Sequence, residues 1–214
     1  MGLSTQRASA SLTSAELAPP RWKHDVFLSF WGEDTRRGFI SHLYHELHYW
    51  QAITTFKDDR ELEKGASISP ELLTAIKQSH LAIIVLSPTY ASSTWCLDEL
   101  SKILEYMEDT KRILPIFYGV HPSDVRNQWG SFAEAFTKHE EKFSEDADKV
   151  NRWRAALRKV GGLSGLDSKN SKSERELIED IIKCAWTKVN PTCTSLDSQE
   201  KLVGIDFPLE YVCN

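Results

Sequence analysis

The chain has 214 residues, 41% of them hydrophobic, which suits one packed domain of ordinary size with tails. Its formal net charge of −5 excludes an overall basic field that would draw it onto nucleic acid or an anionic membrane. Cys96, Cys184, Cys193 and Cys213 form no CxxC pair and no dense framework, so they read as free thiols of a reducing compartment.

Residues 1–21 are rich in Ser, Ala and Thr, carry Pro19-Pro20 at their end and can bury little, so they read as a mobile tail. They lack the apolar core of a secretory signal, and Gly2, Thr5 and Gln6 fit a myristoylation signal only loosely. No stretch of the chain approaches the length of a membrane span. Order is predicted from Trp22. Asp25 to Phe30 reads as a first strand, Trp31 to Arg36 as a charged loop at its carboxyl end, and 37–50 as a helix. His42, His45 and His48 recur every three residues there, whereas zinc pairs on a helix use a spacing of four and bring an acidic or Cys partner set. No metal is expected, and the histidines read as a surface or interface feature.

Ala52 to Phe56 reads as a short second strand, followed by an exposed connection from Lys57 to Ile68 dense in both signs of charge. Ser69-Pro70-Glu71 is a helix start, with a capping hydroxyl, proline at the first helical position and an acid in the first turn. That helix is predicted to run to about Ser79. Leu81 to Leu86 has no polar alternation, the pattern of a parallel strand covered on both faces. Such sheets hold ligands beyond the carboxyl ends of their strands.

The stretch beyond that end, SPTYASSTWCLDELSKIL, is the one the rest of the chain is organised around. Leu97, Leu100, Leu104 and Met107 make an apolar stripe, so Asp98 reads as solvated and Glu99, nearer the stripe's edge, as half-sheltered. On periodicity alone Glu99 is an ordinary first-turn acid favoured by the helix dipole. Arg112 to Tyr118 reads as a fourth strand, in which Pro115 removes a ladder donor and points to an edge or a bulge. A helix over 131–143 and a segment over 151–160, docked by Trp153 and Leu157, follow. A glycine passage from Gly161 leads into a short last strand and a polar loop. A helix from Glu174 carries an apolar face of Leu177, Ile178, Ile181, Ile182, Ala185 and Trp186. Residues 191–214 read as a linker, and no GxxxxGKS/T phosphate loop occurs.

DVFLSFWGEDTRRGFISHL, SPTYASSTWCLDEL and ILPIFYGVHPSDVRNQWGSFAEAF, in this order, resemble the TIR (Toll/interleukin-1 receptor) domain of plant immune proteins, over roughly Lys23 to Val189. The resemblance implies an α/β fold, a flavodoxin-like five-stranded parallel sheet flanked by helices, as a TIR domain over 22–190. LVGID at 202–206 resembles the junction to a nucleotide-binding module, so a TIR-only form or a truncated receptor is expected. It further implies an NAD+ nucleosidase, a glycohydrolase switched on by self-association, with Glu99 catalytic. Arg36, Arg60 and Lys64 would meet the pyrophosphate, and Tyr90 and Trp95 would offer aromatic surface to a base. Ser41 and His42 would carry self-association, and the segment around 57–68 corresponds to the BB loop bordering the pocket. NAD+, or NADP+, is the substrate and no cofactor is required. Homotypic and heterotypic TIR domains are the partners, with lipase-like immune regulators downstream of the products. Neither a membrane nor nucleic acid is expected as a partner, and the location implied is cytoplasmic, with the nucleus as a second compartment.

One carboxylate is compatible with this chemistry. Hydrolysis of an ordinary glycoside uses two, one of them to protonate the leaving oxygen. Nicotinamide leaves a cationic pyridinium as a neutral molecule, so no acid is needed, and a single sheltered Glu can stabilise the ribosyl cation. Trp31 stands where the resembled family has Arg, Lys64 and His121 where it has Arg and Asp, and Gly161-Gly162 and Leu166 where it has Ala-Asn and Trp. The first two weaken phosphate binding, and the last set bears on a second self-association surface. A non-catalytic TIR-TIR adaptor or regulator of other immune receptors is the alternative reading.

Overall fold

The structure, a computed structural model, describes residues 22–36, 38–50, 52–57, 68–107 and 110–190. Five strands, β1 (His24–Phe30), β2 (Thr55–Lys57), β3 (Ser79–Leu86), β4 (Ile113–Phe117) and β5 (Leu166–Asp167), form one sheet in the order β2-β1-β3-β4-β5. Every pairing is parallel. The order reverses at β1, so the β1/β3 boundary is the switch point at which such sheets open a crevice.

Alternation along the strands divides the interior into two cores. Phe27, Ala82, Ile84, Leu86, Ile113 and Phe117 face one side. That side is covered by α3 (Pro70–Lys77), α4 (Thr94–Tyr106), α6 (Ser131–Lys142) and α7 (Ala147–Val160), with the short α5 (Pro122–Asn127) beside them. Val26, Leu28, Leu81, Ile83, Val85, Leu114 and Ile116 face the other, under α2 (Phe39–His45) and α8 (Glu174–Val189). β3 is buried on both faces over Leu81 to Leu86, as its unbroken apolar run predicts.

Several boundaries differ from the sequence reading. The stretch read as a charged loop holds a single helical turn, α1 (Gly32–Thr35), and the helix predicted over 37–50 is α2 followed by a π-helical turn over Glu46–Trp50. β2 is shorter and later than predicted because Ala52 takes a left-handed backbone (φ 51°) that ends any extended run there. β3 begins at Ser79, where the helix was expected to end, and α7 begins four residues before Asn151. Ser69 caps α3 as the sequence implies, its hydroxyl accepting from the backbone N–H three residues on, and Ser173 caps α8 in the same way.

Pro115 does not place β4 at an edge, since β4 lies between β3 and β5. The N–H and C=O of one strand residue point to the same neighbour, and the Pro115 carbonyl points at Gly165, where a Cβ would fall 2.2 Å from it. The donor missing from Pro115 therefore faces the chain just ahead of the two-residue β5, where no ladder has begun. Gly165 is glycine because of this approach. Gly161 also approaches closely, to α5, with a Cβ position 2.7 Å from the Arg126 backbone nitrogen.

Candidate functional site

At the switch point the carboxyl ends of β1 and β3 feed two different elements: β1 runs into Trp31 and α1, and β3 runs through Ser87 and a 3-10 turn (Tyr90–Ser92) into α4. Ser93 caps α4, its hydroxyl accepting from the Cys96 N–H at 3.2 Å. α4 is also tied to β1. The Cys96 thiol donates to the Phe30 carbonyl at 3.6 Å, and the Tyr90 hydroxyl donates to the Cys96 carbonyl at 3.3 Å. With its one proton so used, the Tyr90 oxygen accepts from Ser29 Oγ at 3.1 Å.

Glu99 lies one turn into α4 and is 3% exposed. It is buried rather than half-sheltered, and its side chain does not point into bulk water. It lies close enough to Tyr90 that its charge, after burial and after Cys96, helps to hold that phenol well above its ordinary pKa, against the Ser29 bond. Tyr90 itself is 0% exposed. The expectation that it offers aromatic surface to a base is therefore corrected: it is a core residue whose hydroxyl ties α4 to β1. Trp95 is half-buried and packs against the core beneath α4.

Arg36, just past α1, folds its guanidinium back over Gly32, where a Cβ would meet its Nε at 2.6 Å, and lies 5.7 Å from the Phe30 ring centroid. It therefore sits at the same end of the sheet as the Cys96–Phe30 tie. Trp31, in the place of the cation usual in the resembled family, is half-buried, and its indole donates to Glu33 at 3.2 Å. Arg60, Lys64 and most of the predicted loop from Lys57 to Ile68 lie outside the described residues, as do the tail before Trp22 and the linker after Asn190.

Ser41 and His42 lie on α2, under the opposite face of the sheet from Glu99, and both are exposed. His42 Nδ1 is 3.8 Å from Glu174 at the start of α8, and Tyr118 Oη donates to the same carboxylate at 2.9 Å. Beside them Tyr44 stacks on His48 and His45 tilts against Tyr49, so the outer face of this helix is a run of rings. Among the described residues no group of three or more His, Cys, Asp and Glu side chains is arranged to hold a metal ion.

Two buried contacts escape the sequence reading. His139, on α6, donates from Nε2 to the Ala91 carbonyl at 2.7 Å, and burial pushes its pKa down against that bond. Trp153, on α7, donates from Nε1 to Asp98 Oδ1 at 2.8 Å, and Lys149 Nζ lies 3.3 Å from Oδ2. Asp98 is thus a partnered acid between two helices, not the solvated one its place opposite the stripe implies. The signal was present: a Trp between two arginines on a polar helix needs a partner for its N–H. A groove of about 620 Å³ runs between α4 and α7 past Asp98, Lys102, Lys149 and Arg152, and Glu99 does not line it.

A doubly wound parallel sheet with a buried carboxylate beyond its switch point defines the class, and comparison with known proteins defines the family. The TIR domain family matches residues 23–205, and this chain belongs to it. It is 46% identical to the TMV resistance protein N of Nicotiana glutinosa over 193 residues, which is 90% of this chain and 17% of that protein. Against the disease resistance protein RPV1 of Vitis rotundifolia it is 46% identical over 204 residues, 95% of this chain and 14% of the relative. The chain therefore spans less than a fifth of either. Among solved structures, the TIR domains of the activated Roq1 resistosome, which recognises the pathogen effector XopQ, share 51% identity at a TM-score of 0.67, covering 75% of this chain and 98% of theirs. Among the described residues no helix is long and apolar enough to cross a membrane.

Proposed function

We propose that this TIR domain is an NAD+ nucleosidase activated by self-association, with Glu99 as its catalytic residue. The observation that carries the reading is the burial of Glu99 at the opening of the sheet. A carboxylate removed from bulk water interacts with a developing cation far more strongly than a solvated one does. In the step proposed, the bond from the ribose C1′ to the nicotinamide nitrogen breaks and its electron pair stays on that nitrogen. Nicotinamide leaves neutral, positive charge spreads over C1′ and the ring oxygen, and Glu99 faces that charge. Water then attacks C1′ and releases a proton, giving ADP-ribose, and attack by a hydroxyl of the same molecule gives a cyclic product.

Arg36, held at the carboxyl end of β1, is the described cation best placed for the pyrophosphate. The activated Roq1 resistosome, as a structural neighbour, supports assembly as the switch. The products would act as nucleotide signals in plant innate immunity and cell death, read by lipase-like immune regulators, in the cytoplasm and the nucleus. The test is nicotinamide release from NAD+ by concentrated or crowded protein. Wild type is expected to release it and Glu99→Ala to lose at least about a hundredfold in rate. Equal release by the two proteins overturns the reading.

A non-catalytic adaptor is the second reading. It is favoured by one observation, that Trp31 turns its indole onto Glu33 where a cation would otherwise stand. It requires intact binding to partner TIR domains and suppression of a partner's cell-death response, both indifferent to Glu99→Ala.

A further inference from the structure

We infer that Asp98 and Trp153 are positioning residues for Glu99: the hydrogen bond between them sets the rotation of α4 about its own axis, and with it the place of the neighbouring carboxylate. The inference rests on the catalytic reading of Glu99 for its kinetic consequence, but the clamp is observed independently of that reading.

The amino-terminal turns of α4 are held from two sides. Toward β1, the Cys96 thiol and carbonyl meet Phe30 and Tyr90. Toward α7, Asp98 accepts from the Trp153 indole at 2.8 Å and lies 3.3 Å from Lys149 Nζ. Trp153 cannot move freely to follow α4. It is 1% exposed, with His139 and Phe143 set edge-on against its ring at 5.1 and 5.4 Å and Lys149 Nζ 5.1 Å from it. His139 in turn holds the Ala91 carbonyl, in the turn that leads into α4. Asp98 therefore connects the helix that carries Glu99 to a locked aromatic cluster.

Magnitude decides whether this matters. A side chain at the rim of a helix lies about 5–6 Å from its axis, so a rotation of roughly 10° displaces it by about 1 Å. A displacement of about 1 Å at a reacting centre is enough to reduce a rate up to about a hundredfold. A single bond to an adjacent residue is thus sufficient to control the reaction without touching substrate.

The experiment measures kcat and KM for nicotinamide release in the full chain, with amide hydrogen exchange over residues 94–100 as a readout that needs no activity. Asp98→Ala and Trp153→Phe are expected to lower kcat by about tenfold or more with KM within about twofold, and to speed exchange in that stretch alone. Asp98→Asn keeps an oxygen that accepts from the indole while giving up the ion pair to Lys149, so it is expected to stay near wild type in both readouts. A purely structural role would lower the fraction folded without changing kcat per folded molecule. The inference is overturned if Asp98→Ala, which sits at the helix surface and spares the core, leaves both kcat and exchange unchanged. It is equally overturned if Asp98→Asn falls as far as Asp98→Ala, because the lost group is then the charge. Failure of the catalytic reading has a different signature: Glu99→Ala matches wild type, and exchange alone then decides the clamp.

Discussion

Beneath α4, α6 and α7 the protein buries a carboxylate, a phenol and an imidazole: Glu99 and Tyr90 lie at the start of α4 and in the turn that opens it, and His139 of α6 is hydrogen-bonded to Ala91 in that turn. Beneath α2 and α8 the covered side chains are mostly hydrocarbon or aromatic, Phe39, Ile40, Leu43, Leu177 and Ile181 among them, with the Thr55 hydroxyl bonded to the Ile53 carbonyl, and the polar groups Ser41, His42, His45 and His48 face outward. Burying a polar group is unfavourable unless it is bonded, so one side of the sheet holds a carboxyl, a phenol and an imidazole inside at a cost, while the other buries a bonded hydroxyl at Thr55. The difference separates a layer that buries ionisable groups from one that exposes them. The polar interior gathers at the carboxyl ends of β1 and β3, and the polar exterior lies across the sheet from it.

The largest effects should not distinguish the two layers. Leu100→Ala on α4 and Leu177→Ala on α8 each empty a fully covered site and are expected to destabilise by about 2–5 kcal/mol in urea unfolding. If either loses less than about 1 kcal/mol, the two cores are not equally packed and the comparison fails at its base. Gly165→Ala comes next, at about 1–3 kcal/mol, since its Cβ would overlap the Pro115 carbonyl.

Polar groups should separate the layers. Tyr90→Phe removes a hydroxyl bonded to Ser29 and Cys96 without changing the ring, and a loss of about 1–2 kcal/mol is expected by the same measurement. His139 adds a pH dependence. Its folded pKa lies below the ordinary histidine value because burial penalises the cation, so the unfolded chain takes up a proton first as pH falls. Stability is therefore complete above about pH 6.5 and is lost progressively as pH drops toward the lowered folded value. His24 and His80, also lowered chiefly by burial, act in the same direction. His139→Gln should flatten the slope of unfolding free energy between pH 7 and 5.5. An unchanged slope would show that the other two carry it.

The fold was legible because its signals are local and repeated. An unbroken apolar run marks β3, Ser-Pro-Glu marks the start of α3, and three family motifs stand in order around them. Glu99 was singled out by resemblance, and its depth was not legible. Periodicity places a residue relative to its own helix, whereas the covering of Glu99 and the bond from Trp153 to Asp98 come from elements distant in sequence. For the same reason Pro115 was read as an edge signal, since nothing in its own strand reveals that its bonding side meets Gly165. Tyr90 was misplaced by a related error. An aromatic ring beside a site is as readily part of its wall as of its lining, and only the Ser29 and Cys96 bonds decide which.

The smallest expected change in stability is the one that best sharpens the contrast between the layers. His42 is 70% exposed and its 3.8 Å approach to Glu174 is a surface pair, of the kind that contributes about 0–1 kcal/mol. His42→Ala should therefore leave the unfolding transition within about 0.5 kcal/mol of wild type. If the outer face of α2 is a contact surface, the same substitution should weaken self-association, measured by light scattering or sedimentation over a concentration series, while Tyr90→Phe should not. Separation of the two readouts would place assembly on one side of the sheet and the carboxylate on the other. Loss of stability in His42→Ala would mean instead that this face belongs to the fold, and the division between an inward-looking layer and an outward-looking one would not hold.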